Sequence, residues 1–565
     1  MHKWLSVLSL ASLVLPGLLA WDQAMAGQEL PATDVELNRI EMERTEELSE
    51  SLANQLLDFS LAARNGNLAE MGQSLAEMLQ ATPLPELEAT PRWTRGGLQV
   101  GDLKLEGKTL STLSRKEWLS QWQRFVDSFS HIEDVRFKVS GARFEEQDSG
   151  VMAKGQLKFF LVGQKSADHL LWVRGKGRVQ AVQPPDSQTW VISTLKLSAV
   201  SLSESSPPPF SEVSSPAGVA LTLPRYGSPG NDDFVYHGAA AADLNGDGQL
   251  DLFVTGIRRN YLYLNKGDGR FQESAGKTGI EITRPGTSPL FLDYDNDGDL
   301  DLFMAAVGDQ MLFENLLVPD GELRFQDISE ESAVAVAAVG FTATAGDVNR
   351  DGWVDVYVAS YNLYGRVMPD SWHEARNGTS NLLFINQKDG TFREAARSWG
   401  ADDRRWSYSA QFADVNSDGK IDLYVANDFG KNALYINQGN RFRDSAEAWG
   451  TVDAGNGMGV SFGDYDNDGD LDLFVTNMSS MAGNRILNRL FPSGSRDDNL
   501  LKKLASGNTL FRKDGGSVFQ DVTSQVGPFP GGWAFGGVFV DIDNDGWEDL
   551  YAPNGFVSGE TMKDT

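Results

Sequence analysis

A nine-residue phrase with aspartate at positions one, five and nine occurs six times in this chain, and it constrains the fold more than any other feature. The copies read DLNGDGQLD (243–251), DYDNDGDLD (293–301), DVNRDGWVD (347–355), DVNSDGKID (414–422), DYDNDGDLD (464–472) and DIDNDGWED (541–549). Position three is always Asn or Asp and position six always Gly. An apolar residue and then an aromatic follow each copy, as in Leu252-Phe253 and Val356-Tyr357. Self-similarity on this scale marks a repeat architecture.

The spacing has a chemical meaning. Calcium takes six to eight hard oxygens, and side chains at positions one, three, five and nine with a carbonyl at seven can wrap it. Glycine at six permits the sharp turn that points those oxygens inward. The expected ligands of the first three loops are Asp243, Asn245, Asp247, Asp251 and the Gln249 carbonyl; Asp293, Asp295, Asp297, Asp301 and the Asp299 carbonyl; and Asp347, Asn349, Asp351, Asp355 and the Trp353 carbonyl. Those of the last three are Asp414, Asn416, Asp418, Asp422 and the Lys420 carbonyl; Asp464, Asp466, Asp468, Asp472 and the Asp470 carbonyl; and Asp541, Asp543, Asp545, Asp549 and the Trp547 carbonyl. Up to six Ca2+ ions are therefore expected. An EF-hand needs glutamate at position twelve between helices, whereas Val254 and Met304 stand there and the flanks alternate as strands do. A single copy could be a polar hairpin turn; six copies with the same oxygen positions argue for metal. Loops 293–301, 464–472 and 541–549 carry Asp at all four side-chain positions and are expected to bind more tightly.

A second phrase follows most loops: NYLYLNKGDGRFQES (260–274), NLLFINQKDGTFREA (381–395), NALYINQGNRFRDS (432–445) and NTLFRKDGGSVFQDVT (508–523), with a longer version at 310–329. Each reads as strand, turn, strand. Four short strands per repeat, with the aspartate loop between the first two, predict propeller blades. The residues resemble the FG-GAP/VCBS repeat family of calcium-binding, integrin α-like propellers. The added N-x-L-[YF]-x-N and F-x-[DE] phrases are closest to the cartilage acidic protein and ASPIC/UnbV branch, although no ASPIC/UnbV tail is recognisable. The resemblance spans residues 208–565 and implies a mainly β, calcium-binding β-propeller. Six repeats are recognisable, with room for a seventh blade, and the chain ends just after the second strand of the sixth repeat, which suggests a fragment. Phe210 to Ser214 matches Phe325 to Ser329, so this segment is expected to supply the outer strand of the last blade.

The strand order places the aspartate loops on one face and the blade-to-blade connections on the other. Two connections on that second face are enlarged, 360–380 and 477–508, the latter basic. Long loops on a rigid scaffold tend to carry function. Tyr361, Tyr364, Trp372, Trp406, Trp533, Arg485 and Arg489 are the candidate partner-binding residues for a protein or glycan, with packing beneath the loops as the alternative.

Ahead of the repeats the pattern changes. Residues 1–26 have a basic start at Lys3, a short apolar run broken by Pro16, and a small-residue site at Ala24-Met25-Ala26, the marks of a signal peptide and export. No other stretch is long and apolar enough to span a bilayer. Residues 30–80 have helical periodicity broken at Asn65-Gly66-Asn67, and Ser114 with Glu117 opens a further helix. Four alternating runs follow, so residues 27–205 are expected to form an α+β domain resembling a nuclear-transport-factor-like, SnoaL-like cone. A Ser/Pro-rich linker then leads into a propeller assigned to 206–565.

Charge and chemistry narrow the function. The balance of 79 acidic and 49 basic residues, net −30, repels nucleic-acid phosphates and anionic lipid. There is no cysteine, hence no disulfide and no thiolate nucleophile. The propeller holds only His237 and His373, the aspartates are committed to metal, and no Gly-rich phosphate loop, GxSxG or zinc motif occurs. An exported, periplasmic or cell-surface interaction module ranks first, a polysaccharide lyase or hydrolase second, and activity in the N-terminal cone third, with His131 and His169 as its histidines.

Overall fold

The computed structural model describes residues 32–554 apart from 96, 106–109, 186, 207–209, 221–237, 257–258, 282–283, 285, 364–365, 480–501, 517 and 528–531. The candidate signal peptide, Tyr364, Arg485, Arg489 and His237 lie outside the described residues. Two compact units meet between Phe210 and Ser211.

The first unit begins with helices α1 (Ala32–Arg64) and α2 (Leu68–Gln73). Gly66 at φ +68° breaks them, and Asn67 caps α2 by accepting from the Glu70 N–H. Helical periodicity is expected to continue to residue 80, but Leu75–Ala81 is strand β1. Its backbone is claimed by two neighbours, antiparallel with Ser111–Ser114 and parallel with Val191–Ser205, and such pairing overrides a short segment of ambiguous periodicity. β2 (Ala89–Arg95), β3 (Leu98–Leu103) and β4 (Ser111–Ser114) follow. Helix α3 (Arg115–Val126) starts at the expected capping box, Ser114 and Glu117 bonding each other's backbone N–H. The four alternating runs are β5 (His131–Gln147), β6 (Gly150–Ser166), β7 (His169–Gln183) and β8 (Val191–Ser205). The sheet order is β2-β3-β8-β7-β6-β5. One face buries Phe137, Leu157, Phe159 and Val173 against Phe59 of α1 and Trp118 and Trp122 of α3. Each such large side chain contributes about 1.5–3 kcal/mol on burial.

The second unit is a series of antiparallel four-stranded meanders. The first comprises β9 (Ala239–Ala242), β10 (Asp251–Val254), β11 (Tyr261–Asn265) and β12 (Phe271–Glu273). The second comprises β13 (Gly286–Leu292), β14 (Asp301–Asp309), β15 (Met311–Asn315) and β16 (Phe325–Asp327). The third comprises β17 (Ala337–Gly346), β18 (Asp355–Ser360), β19 (Leu382–Asn386) and β20 (Phe392–Glu394). The fourth comprises β21 (Ser407–Ala413), β22 (Asp422–Asn427), β23 (Ala433–Asn437) and β24 (Phe442–Asp444). The fifth comprises β25 (Gly457–Gly463), β26 (Asp472–Asn477), β27 (Thr509–Lys513) and β28 (Phe519–Asp521). A sixth pair, β29 (Val538–Val540) and β30 (Asp549–Tyr551), follows. The first strand of each sheet packs on the first strand of the next, from β9 through to β29. This is the blade arrangement of a β-propeller. Second strands such as Asp422–Asn427 are buried at every position, as strands in the middle of stacked blades must be.

Two departures from the expected regularity have physical causes. β14 runs on to Asp309 and pairs with β17, joining the second and third sheets. Gln310 makes that extension possible: its buried side chain accepts from Ala306 N and donates to Ala306 O, Gly308 O and Val336 O. The segment expected to latch the last blade is the second departure. Residues 211–214 pair with no strand among the described residues; Ser214–Ala217 is a helical turn, α4. Glu212 accepts from the Ser214 N–H at 2.6 Å, as Asp327 does from Ser329 N, and Gly218 closes the turn at φ +81°. The segment keeps the turn that follows an outer strand, while the described part of the sixth sheet has no third strand to which an outer strand could bond.

Candidate metal centre

In all six loops the first aspartate organises the turn. Its Oδ1 accepts from the N–H of residue five and its Oδ2 from the N–H of the glycine at six, at 2.8–3.1 Å. The fifth residue's Oδ1 then accepts from the N–H of residue seven at 2.8–3.0 Å. Both positions four and six are left-handed. The glycine at six has φ from +77° to +98°, as in Gly419 and Gly298. Position four is Gly246 in the first loop but Asn296, Arg350, Ser417, Asn467 and Asn544 in the others, at φ +55° to +61° for these non-glycine residues. Asparagine tolerates this region and also bonds across to the next loop, Asn296 Nδ2 to Gly352 O at 3.3 Å and Asn467 Nδ2 to Gly546 O at 3.1 Å. Arg350 has the strain without that bond. Arg350→Asn is expected to raise stability by about 1 kcal/mol, read from chemical denaturation; a loss of stability would refute the strain argument.

In the first five loops the ninth aspartate is a buried hinge. Asp251, Asp301, Asp355, Asp422 and Asp472 are at most 1% exposed. Their Oδ1 atoms accept from the N–H of Asn265, Asn315, Asn386, Asn437 and Lys513 on the third strand, at 2.8–2.9 Å. The first four also accept at Oδ2 from the residue at position two of their own loop, at 3.0–3.2 Å. The closing asparagine of N-x-L-[YF]-x-N ties neighbouring blades together. Asn386 Nδ2 donates to Tyr294 O at 2.7 Å and Asn437 Nδ2 to Val348 O at 2.8 Å, each carbonyl lying in the preceding blade's loop. The motif was visible in sequence, but its role depends on two loops being adjacent in space.

Burial pushes Asp301 up to about 8, and Asp355, Asp422 and Asp472 to about 7, the backbone hydrogen bonds opposing the rise. A carboxyl raised in the folded state binds its proton more tightly there than in the unfolded chain. Its contribution is most favourable below the ordinary carboxylate range near pH 4 and is lost as pH rises towards about 7 to 8. In chelator the melting temperature is therefore expected to be higher at pH 5 than at pH 8, and the opposite order would contradict the burial argument.

Around these hinges the outer carboxylates converge. Asp293, Asp295 and Asp297 bring oxygens within 4.8 Å of one another, as do Asp464, Asp466 and Asp472, and Asp541, Asp543 and Asp549. Asp514, from the turn after β27, joins Asp466 and Asp468 in a further group that the repeat phrase did not reveal. In the remaining loops an amide or a lysine meets a carboxylate. Asn245 Nδ2 donates to Asp247 at 3.1 Å, Asn416 Nδ2 to Asp418 at 3.3 Å, Lys388 Nζ lies 3.3 Å from Asp351, and Lys420 Nζ bonds Asp418. Side chains at position seven turn away from their loops where they are acidic: Asp299 accepts from Val318 N, and Asp470 pairs with Lys513 and accepts from Gly515 N. This leaves the carbonyl at seven as the oxygen that position can offer.

On the other face the candidate partner residues divide. Tyr361 is 5% and Trp406 0% exposed, which corrects their assignment to a partner surface. They form an aromatic cluster with Phe429 beneath the loops, where packing is worth more than exposure. The Tyr361 hydroxyl donates to Asp428, and Trp406 Nε1 donates to Asn377 Oδ1 at 2.8 Å. Burial lifts Asp428 to about 6, and the bonds from Tyr361 and Asn456 pull it back. Trp372 is partly exposed over Phe429, and Trp533 is half-buried with its N–H donating to Asn554.

A model of the FG-GAP-like repeat matches residues 243–304, 347–425 and 414–475. Cartilage acidic protein 1 of Homo sapiens is 26% identical over 347 residues, 56% of this chain and 47% of that protein. Its Mus musculus counterpart is 25% identical over 345 residues, 56% of this chain and 48% of that protein. The chain thus spans about half the length of the curated relatives it matches. Among solved structures, a lectin of Agrocybe aegerita that recognises non-reducing terminal N-acetylglucosamine covers 79% of this chain and 92% of its own at 11% identity and TM-score 0.29. The Kfla4162 protein of Kribbella flavida covers 28% of this chain and 92% of its own at 12% identity and TM-score 0.20. Likenesses this distant carry no argument about function.

Proposed function

Because the chain carries FG-GAP-like repeats, we propose that its second unit is an exported, calcium-binding interaction module whose loops hold Ca2+ and thereby fix a rigid face for a protein or glycan. One observation carries the metal reading: oxygens at the expected ligand positions are buried and lack hydrogen-bond partners among the described residues. They are Asp466 Oδ1 and Asn349 Oδ1. A buried carboxylate oxygen without a partner is costly, and a divalent cation satisfies it. The side chains at positions one, three, five and nine would hold the ion with the carbonyl at seven. The calcium supplies charge neutralisation for the crowded carboxylates and a rigid tie across each turn.

The loops would not fill equally. Those at 293–301, 464–472 and 541–549 present converging carboxylates, whereas Lys388 and Lys420 already compensate Asp351 and Asp418. Site-resolved titration at limiting calcium is expected to fill the three all-aspartate loops first, and Lys420→Gln to tighten binding at 414–422. Filling of 347–355 and 414–422 ahead of the others would overturn this order. The interaction role is tested by a glycan and cell-surface-protein panel in calcium, reading both retention and product size. Retention without cleavage supports a binding module; shortened products would make the unit an enzyme.

A further inference from the structure

One sheet face of the first unit carries charge of the sign opposite to the chain's net −30. Strands β5 to β8 bury one face, and their other face is a cationic surface. Lys138, Lys158 and Lys176 stand directly opposite one another across β5, β6 and β7. One pair along, Arg136 and Arg174 flank Phe160 in the same register, and on the other side Arg178 of β7 faces Lys196 of β8. Five of these, Lys138, Lys158, Arg174, Lys176 and Arg178, are exposed. Arg136 has Asp134 at 2.9 Å; among the described residues the other six have no ion-pair partner.

Like charges directly opposite on neighbouring strands destabilise a sheet, and the strands lie only about 4.8 Å apart. The Lys138 ammonium is pushed below its usual range first by desolvation of its stem along the sheet and then by Arg136, with Asp134 opposing and Lys158 adding to the push. Such an arrangement in a chain of net charge −30 calls for an external polyanion with charges at comparable intervals. The large apolar side chains exposed in this unit, such as Met78 and Trp93, do not lie on β5–β8. Phe160 and Trp172 are half-buried on the same face as the lysines, so cationic charge and not an exposed apolar wedge dominates it. The geometry points to a second interaction surface, one that takes a linear acidic polysaccharide, sulfated or carboxylated, along the Lys138–Lys158–Lys176 row. This surface is independent of the calcium loops.

The test uses the full chain in calcium-containing buffer with heparin as the probe. Wild type is expected to bind heparin with an affinity that falls as salt rises. The variant K138Q/K158Q/K176Q is expected to lose about tenfold in affinity with an unchanged or higher melting temperature, since it relieves repulsion. A control of equal charge change on the second unit, K266Q/K277Q/R397Q, is expected to bind as wild type does. Equal loss in both variants, no binding above that to a neutral dextran, or binding to phosphatidylserine vesicles without binding to heparin would each overturn the inference.

Discussion

Chelation of calcium is expected to lower the melting temperature of the full chain by ~10 °C or more. Binding to the native state alone stabilises by about 2.7 kcal/mol per site at a hundredfold excess over Kd, and three all-aspartate loops would act together. For domains of this size each kcal/mol moves the midpoint by about 2–4 °C. The physical source is the crowding within 4.8 Å of Asp293, Asp295 and Asp297, of Asp464, Asp466 and Asp472, and of Asp541, Asp543 and Asp549. Repulsion at that range is not screened by ordinary salt. Magnesium, which demands six ligands in near-ideal octahedral geometry, is expected to restore less of the loss. A melt that is unchanged by chelator would remove the metal from the account of stability.

Replacing a ninth-position aspartate is expected to cost as much, for a different reason. Asp422 is 1% exposed and accepts from Asn437 N at 2.8 Å and Val415 N at 3.2 Å. Asp422→Ala orphans both buried donors and severs a loop from its third strand, a loss of about 2–5 kcal/mol. That loss should persist in chelator, because the hydrogen bonds exist without metal. Asp418→Asn, which weakens only exposed bonds to Lys420 and Asn416, should change stability little in chelator and much more when calcium is present. Urea denaturation of both variants with and without calcium separates the two roles. If Asp422→Ala were harmless in chelator, the ninth aspartate would be a ligand and nothing more.

The loops were legible in sequence because their spacing is set by chemistry inside nine residues. Asp, Asn and Gly at fixed offsets imply one turn, and the structure folds all six copies the same way. The left-handed backbone at position four was harder to see, since Arg350 and Ser417 hide what Gly246 and Asn467 would suggest. The role of Asn315, Asn386 and Asn437 was invisible for another reason: each bonds a carbonyl 71 to 92 residues away, in the preceding blade. Residues 75–81 were misread because Leu75 and Leu79 stand four apart, a spacing that fits helix and strand alike in so short a segment, and only its two pairing partners decide. Tyr361 and Trp406 looked like binding aromatics because they sit on long connections, yet those connections fold over them. The cationic sheet face also escaped notice, since its rows assemble from four strands that alternate charge with core residues and show no basic run in any one of them.

The most direct test of the metal assignment is native mass spectrometry of the full chain equilibrated at micromolar free calcium. At least three retained calcium ions per chain are expected, falling by one with each of Asp295→Asn, Asp466→Asn and Asp543→Asn. A chain that retains no calcium, or whose retained ions are indifferent to those substitutions, would contradict the account.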